Sequence, residues 1–266
     1  MTCASRIEAG IGAPVKRLVP LHGGDLSTVM RAELAGGGSV VAKTGPTVAA
    51  EARMLRAMAD TGAPVPRVLH VEDGLAVLGF LEETVATPPG WRALGSALAR
   101  LHATHGDAYG WHEDHALGVV AVPNGAADPW PRFWAANRLR PSLPVLPAGL
   151  AARLEALCDR LPDLLPAAPP ASLLHGDMWT GNALFSGDQA YLIDPSCYHG
   201  DAEVDLAMLT LFASPPAEFF AGYGPLQTGH EDRRPVYQLW PALVHFRLFG
   251  GGYGRLVSRL LDRCGV

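Results

Sequence analysis

Cysteine is scarce in this chain of 266 residues: Cys3, Cys158, Cys197 and Cys264 stand far apart, with no pair at metal-ligand spacing. That argues against a disulfide framework and leaves reduced thiols as the expectation. Long apolar runs are missing as well, each being broken by Pro or charge before it reaches membrane-spanning length. The start, Met1-Thr2-Cys3-Ala4-Ser5, has no basic segment leading into an apolar core. No membrane contact is expected, and the chain reads as soluble and cytoplasmic. Basic clusters are absent too. With a net charge of -5 and scattered Lys and Arg, there is no general surface for nucleic acid. Neither an internal repeat nor a Walker-type glycine and lysine pattern occurs.

What the chain does have is an acid and amide pattern in its second half. Leu173-Leu174-His175-Gly176-Asp177-Met178-Trp179-Thr180-Gly181-Asn182 is followed by Tyr191-Leu192-Ile193-Asp194. If Leu173 and Leu174 end one strand and Ala190 to Ile193 form another, Asp177 lies on the loop between them. Asn182 and Asp194 then flank a hairpin turning at Ser186-Gly187-Asp188. Three oxygen-bearing side chains converge in that arrangement, which suits phosphoryl transfer from a magnesium nucleotide. Asn182 and Asp194 are the expected ligands of Mg2+, a hard ion that keeps several waters. Asp177 is the expected base, orienting an acceptor hydroxyl and taking its proton. The protein-kinase catalytic loop has the same Asp-to-Asn spacing.

Two compositional halves meet near residue 80, and the 48% hydrophobic content suffices for a real core. In the first half Val29 to Leu34 alternate, Gly36-Gly37-Gly38 turns the chain into Ser39 to Lys43, and Arg67 to Glu72 and Leu75 to Leu81 flank the hairpin signal Asp73-Gly74. One helix is expected there, capped by Thr47, with Val48, Ala52, Leu55 and Ala59 as its apolar stripe. Helical periods dominate later, as in Leu94, Leu98 and Leu101, then Leu150, Leu154, Leu157 and Leu161, then Leu239, Leu243 and Phe246. The Pro-rich stretch from Pro162 to Pro170 is either an ordered connection or a flexible linker. The expected architecture is α+β and two-lobed: residues 1–81 form a small antiparallel-sheet lobe with one helix, and residues 82–266 a larger, mostly helical lobe. In the small lobe, Gly23-Gly24-Asp25-Leu26-Ser27 could approach phosphates through Gly23, Gly24 and Ser27. Lys43 ends the apolar alternation Val40-Val41-Ala42 and needs a partner if buried; Glu51, one turn into the next helix, is the candidate.

The chain resembles the fructosamine kinase, or ketosamine-3-kinase, family, which is similar in fold to aminoglycoside phosphotransferases and protein kinases. The resemblance spans nearly the whole chain. Beyond the segments above it rests on Leu94-Gly95 through Leu101-His102, Tyr109-Gly110-Trp111, Asp194-Pro195 with Tyr198 to Met208, and Phe249-Gly250-Gly251-Gly252-Tyr253. It implies a protein-kinase-like fold that binds ATP and Mg2+, with Asp177 as base, Asn182 and Asp194 as metal ligands, Lys43 on the phosphates and Glu51 as its helix partner. Gly79-Phe80-Leu81 match the hinge, where backbone groups read the adenine edge. Gly79 departs from the Glu often found there, and Asp25 stands where many relatives carry Cys. Trp179 is the expected sugar platform, Tyr198 and Asp201 are candidates for the acceptor pocket, and Asp205 is expected to hold loop amides. The implied substrates are ketosamine small molecules or glycated proteins, phosphorylated on a sugar hydroxyl in glycation repair. The alternatives are an aminoglycoside- or choline-type kinase and a nucleotide-binding scaffold without catalysis. Oligomeric state has no sequence signature here.

Overall fold

The computed structural model describes residues 2–21 and 27–266. It opens with helix α1 (Cys3–Ile11), where the Thr2 side chain accepts the Ser5 N–H and Gly12, left-handed at φ 68°, ends the helix. Strands β1 (Val15–Pro20), β2 (Thr28–Leu34) and β3 (Ser39–Thr44) follow, then helix α2 (Val48–Asp60) and strands β4 (Val68–Glu72) and β5 (Leu75–Gly79). The five strands form one antiparallel sheet in the order β1-β2-β3-β5-β4. Both strand pairs expected from alternation are present. The small lobe carries two helices, however, where the sequence pattern suggested one. The additional helix, α1, buries Ile7 completely against Ala32, Val40, Ala42, Leu75 and Val77, covering a sheet face that would otherwise meet water. Side chains alternate along a strand, so Val40 and Ala42 face α1 while Lys43 projects to the other side. Thr47 stands at the N-cap of α2, but its side chain makes no capping hydrogen bond.

The larger lobe begins with α3 (Pro88–His102), where Thr87 accepts the Gly90 N–H and Pro88 takes the first turn. After it come the hairpin β6 (His115–Leu117) and β7 (Val120–Val122), α4 (Trp130–Trp134) running into a π-helical turn, and α5 (Ala148–Leu164). Strands β8 (Ser172–Leu174), β9 (Ala183–Ser186), β10 (Gln189–Leu192) and β11 (Tyr198–Gly200) precede α6 (Glu203–Leu209), α7 (Ala217–Tyr223), α8 (His230–Phe249) and α9 (Gly254–Arg263). Strands β9 and β10 pair as a hairpin, and β11 pairs antiparallel with β8. The Pro-rich stretch is ordered: the Trp130 N–H donates to Ala167 O at 3.0 Å and the Tyr109 hydroxyl to Pro169 O at 2.8 Å. Among the described residues no helix is long and apolar enough to cross a membrane.

Two cores organise this lobe. Trp130, Phe133, Trp134, Tyr237 and Trp240 fill one, and the Trp130 indole N–H donates to the Tyr237 hydroxyl at 3.0 Å. The other joins Met54 and Met58 of α2 to Leu94, Leu98 and Leu101 of α3, and to Leu173, Met178 and Leu192 around the β8–β9 loop. Apolar burial therefore ties the small-lobe helix to the loop that carries Asp177.

Helices α3 and α7 approach backbone to backbone at Gly95 and Gly222. A Cβ at Gly95 would stand 2.1 Å from Phe219 O, and one at Gly222 would stand 2.1 Å from Arg92 O. Gly95→Ala is expected to destabilise the fold by about 1–3 kcal/mol through overpacking, lowering Tm by several degrees in calorimetry. Gly149→Ala, in open space at the start of α5, should leave Tm unchanged or slightly raised.

Candidate active site

The β8–β9 loop is built around buried acceptors. Asp205, near the start of α6, takes the His175 N–H on Oδ2 at 2.7 Å and the Gly176 N–H on Oδ1 at 2.9 Å. Its Oδ2 also meets His102 Nε2 at 3.0 Å, and His102 Nδ1 meets the Tyr223 hydroxyl at 2.9 Å. The His175 ring faces Ile193 O through Nε2 at 2.9 Å. Gly176 is required here. It has φ 78°, and a Cβ would fall 1.9 Å from Ser196 O. That close approach lets the Ser196 N–H reach His175 O at 2.8 Å, joining the loop to the segment after Asp194.

Asp177 emerges from this loop beside Asn182, whose Nδ2 donates to Asp177 O at 2.7 Å and to Asp177 Oδ2 at 3.0 Å. Burial pushes the Asp177 carboxyl up to about 6; the Asn182 hydrogen bond opposes that rise, while the charges of Asp194 and Asp205 add to it. Asp194 lies across the β9–β10 hairpin at φ 56°, and among the described residues it is the one non-glycine with positive φ. Such a conformation persists where the surroundings over-determine it, and it concentrates at functional sites.

Lys43 closes the constellation from the small lobe. Its Nζ reaches Glu51 Oε1 at 2.7 Å, Glu51 Oε2 at 2.8 Å and Asp194 Oδ1 at 2.7 Å. Burial would lower the Lys43 pKa, but the two carboxylates outweigh it and hold the pKa above its ordinary value, so the ammonium stays charged. Burial likewise raises Glu51, against the pull of Lys43. The site thus gathers Lys43, Glu51, Asp177, Asn182 and Asp194 where β3, α2, the loop and the hairpin meet.

The oxygen donors suit a small hard cation. Asn182 uses its amide nitrogen on Asp177, which leaves its Oδ1 to accept, and Asp194 is partly exposed with one oxygen on Lys43. Among the described residues no group of three or more His, Cys, Asp or Glu is gathered as a metal cage. A cation here would draw its remaining ligands from water and substrate, as Mg2+ does.

Other expected residues fall differently. Trp179 is 42% exposed and lies over Gly181, open to a ligand. Tyr198 and Asp201, expected at an acceptor pocket, are instead buried. The β8–β11 pairing turns Tyr198 inward beneath the Arg138 guanidinium, 3.9 Å from its ring centroid, and Asp201 accepts the Tyr237 hydroxyl at 2.7 Å and the Glu203 N–H at 3.0 Å. Both are held by internal contacts, and neither stands open as Trp179 does. At the hinge the Gly79 N–H is committed to Arg67 O at 2.8 Å and so is not free for an adenine edge. Phe80 lies against Arg31, 4.3 Å from guanidinium carbon to ring centroid, with Leu81 half-buried beside it. Ser27 directly precedes β2; Gly23 and Gly24 lie outside the described residues. Sequence reading missed the contact of His115 Nε2 with Ser196 Oγ at 2.7 Å and that of Arg53 with Glu113. These pairs join residues 60 or more positions apart, and no local pattern announces them.

Comparison with known proteins points to one family and one fold. The family model described as fructosamine kinase matches residues 9–265. A Thermus thermophilus protein named as a probable ketoamine kinase is 39% identical over 261 residues, covering 92% of this chain and 93% of the relative. A solved structure from Thermobifida fusca, provisionally named fructosamine-3-kinase, superposes with a TM-score of 0.92 at 29% identity, covering 99% of this chain and 98% of that one. An aminoglycoside phosphotransferase, APH(4)-Ia, in ternary complex with AMP-PNP and hygromycin B, is 16% identical with a TM-score of 0.66, covering 100% of this chain and 97% of that one. At that distance the likeness concerns the fold, which is the two-lobed, protein-kinase-like α+β fold.

The loop's dependence on one carboxylate is testable. Asp205→Ala leaves three buried donors without an acceptor and should destabilise the protein by about 3–5 kcal/mol in denaturant titration. Asp205→Asn, which keeps one oxygen acceptor, should fall clearly short of that loss.

Proposed function

The chain belongs to the fructosamine kinase family, and from that membership we propose that it transfers the terminal phosphoryl group of ATP to a sugar hydroxyl of a ketosamine. The observation that carries this reading is the meeting of Lys43, Glu51 and Asp194 with Asp177 and Asn182 in one site. In this reading the lobes divide after residue 81 and the nucleotide lies between them, with the backbone of Phe80 and Leu81 facing its adenine. Gly23, Gly24 and Ser27 approach its phosphates, and Lys43 binds them while Glu51 keeps the ammonium charged and oriented.

Asn182 and Asp194 would hold Mg2+, which when bound neutralises the phosphates and lowers the barrier to breaking the bond to the leaving oxygen. Asp177 orients the acceptor hydroxyl and takes its proton as the new oxygen–phosphorus bond forms and the bond to ADP breaks. A carboxyl near pKa 6 suits that role, since it is mostly ionised at neutral pH yet basic enough to accept a proton. The Trp179 ring, exposed beside Asp177, offers an apolar face to a sugar and an indole N–H to a hydroxyl. Phosphorylation of a sugar–amine adduct is the opening step of glycation repair, and glycated proteins as well as small ketosamines are within this reading.

Steady-state kinetics on fructosamine and ribulosamine compounds, with an aminoglycoside and choline in parallel, tests it. The ketosamines should be phosphorylated, and Asp177→Asn should lower kcat by about 10²–10⁴. Turnover of the aminoglycoside or choline without turnover of either ketosamine would overturn the substrate assignment. Equal rates for Asp177→Asn and wild type would remove Asp177 from its role.

A further inference from the structure

Residues 111–124, which carry the β6–β7 hairpin, make no part of the site yet touch both sides of it. Glu113 receives the Arg53 guanidinium in a forked pair, Nε on Oε1 at 2.9 Å and Nη2 on Oε2 at 2.9 Å. Arg53 lies on α2, two residues after Glu51. From the same hairpin, His115 Nε2 reaches Ser196 Oγ at 2.7 Å, and Ser196 follows Asp194 by two residues.

The orientation of the His115 ring is fixed from behind. The Asn124 amide presents Nδ2 to His115 Nδ1 at 3.0 Å, so Nδ1 accepts and the proton sits on Nε2, which donates to Ser196. Burial, with the charge of Arg138 adding to it, pushes the His115 pKa down to about 4, consistent with that neutral ring. Asn124 is oriented in turn by Arg138 Nη2, which donates to its Oδ1 at 2.8 Å, and its backbone N–H donates to Asp114 Oδ1 at 2.7 Å. The fully buried Arg138 also lies over the Tyr198 ring. The segment after Asp194 is thereby gripped at Ser196 and at Tyr198. Helix α2 meets the same segment directly, the Cys197 N–H pointing at Met54 Sδ at 3.3 Å.

We infer that the β6–β7 hairpin is a strut that positions the nucleotide-facing groups, holding α2 through Arg53 and the Asp194 turn through Ser196 so that Lys43 keeps Glu51 and Asp194 together. The strut helps to explain how a non-glycine residue is kept in the left-handed region at Asp194: the chain two residues on is pinned by a partly buried hydrogen bond. Glu113 and His115 are positioning residues that act through Glu51 and Asp194. The inference rests on the kinase reading above.

Its test uses the full chain and Mg·AMP-PNP as the probe, with affinity read by calorimetry. His115→Phe keeps the ring and removes the donor, and Glu113→Arg sets two cations face to face. His115→Phe should weaken Mg·AMP-PNP binding by about tenfold, the scale of one lost hydrogen bond at a partly buried site, and Glu113→Arg, at a more exposed pair, by about threefold to fivefold. The swap Arg53→Glu with Glu113→Arg should recover most of that affinity. In kinetics the KM for MgATP should rise while the KM for the ketosamine stays put. In ligand-free protein, amide exchange at Ser196 and Cys197 should quicken in His115→Phe. Affinities within twofold of wild type would overturn the strut. So would a kcat that falls only in step with the folded fraction while both KM values hold. If wild type binds Mg·AMP-PNP but leaves ketosamines untouched, the acceptor assignment fails, and the binding measurements still decide the strut.

Discussion

A buried ammonium shared by two carboxylates holds this site together. Lys43 is 4% exposed, and without partners its charge would be costly to remove from water. Glu51 comes from α2 and Asp194 from beyond the β9–β10 hairpin, so satisfying one side chain brings two distant elements to the same point. The face that Lys43 occupies follows from strand alternation, since Val40 and Ala42 already bury against α1. The helix under the sheet and the site above it are in this sense one arrangement.

The loop opposite Lys43 is shaped by backbone constraints more than by the side chains of Asp177 and Asn182. Asp205 supplies two oxygens to consecutive amides, Gly176 permits the approach to Ser196 O, and Asp194 bends into a conformation that few residues adopt. Asp177 and Asn182 are carried into place by these contacts and then fixed to each other. Preorganisation of this kind lets a site meet its ligand with little rearrangement, which is how positioning contributes to phosphoryl transfer.

Local signals in the sequence were sufficient for most of the frame. The β4–β5 turn follows from Asp73-Gly74, the α2 stripe from its period, and the convergence of Asn182 with Asp194 from a hairpin only as long as β9 and β10. Helix α1 escaped because its apolar stripe is short, although Thr2 and Gly12 mark both of its ends. For Tyr198 and Asp201, proximity to Asp194 in sequence says nothing about which way β11 faces, and its pairing with β8 gives both of them internal partners. The Arg53–Glu113 and His115–Ser196 contacts were invisible for a different reason: each depends on tertiary packing between elements that share no periodicity.

The central claim is that Lys43, held by Glu51 and Asp194, faces Asp177 and Asn182 across a site for a magnesium nucleotide. Calorimetric titration of wild type and Lys43→Met with AMP-PNP, with and without Mg2+, tests it most directly. The account predicts one nucleotide bound per chain, dependence on Mg2+, and an affinity at least about tenfold weaker in Lys43→Met, the loss expected for a charge-assisted phosphate contact. Binding that ignores both Mg2+ and the substitution would contradict it.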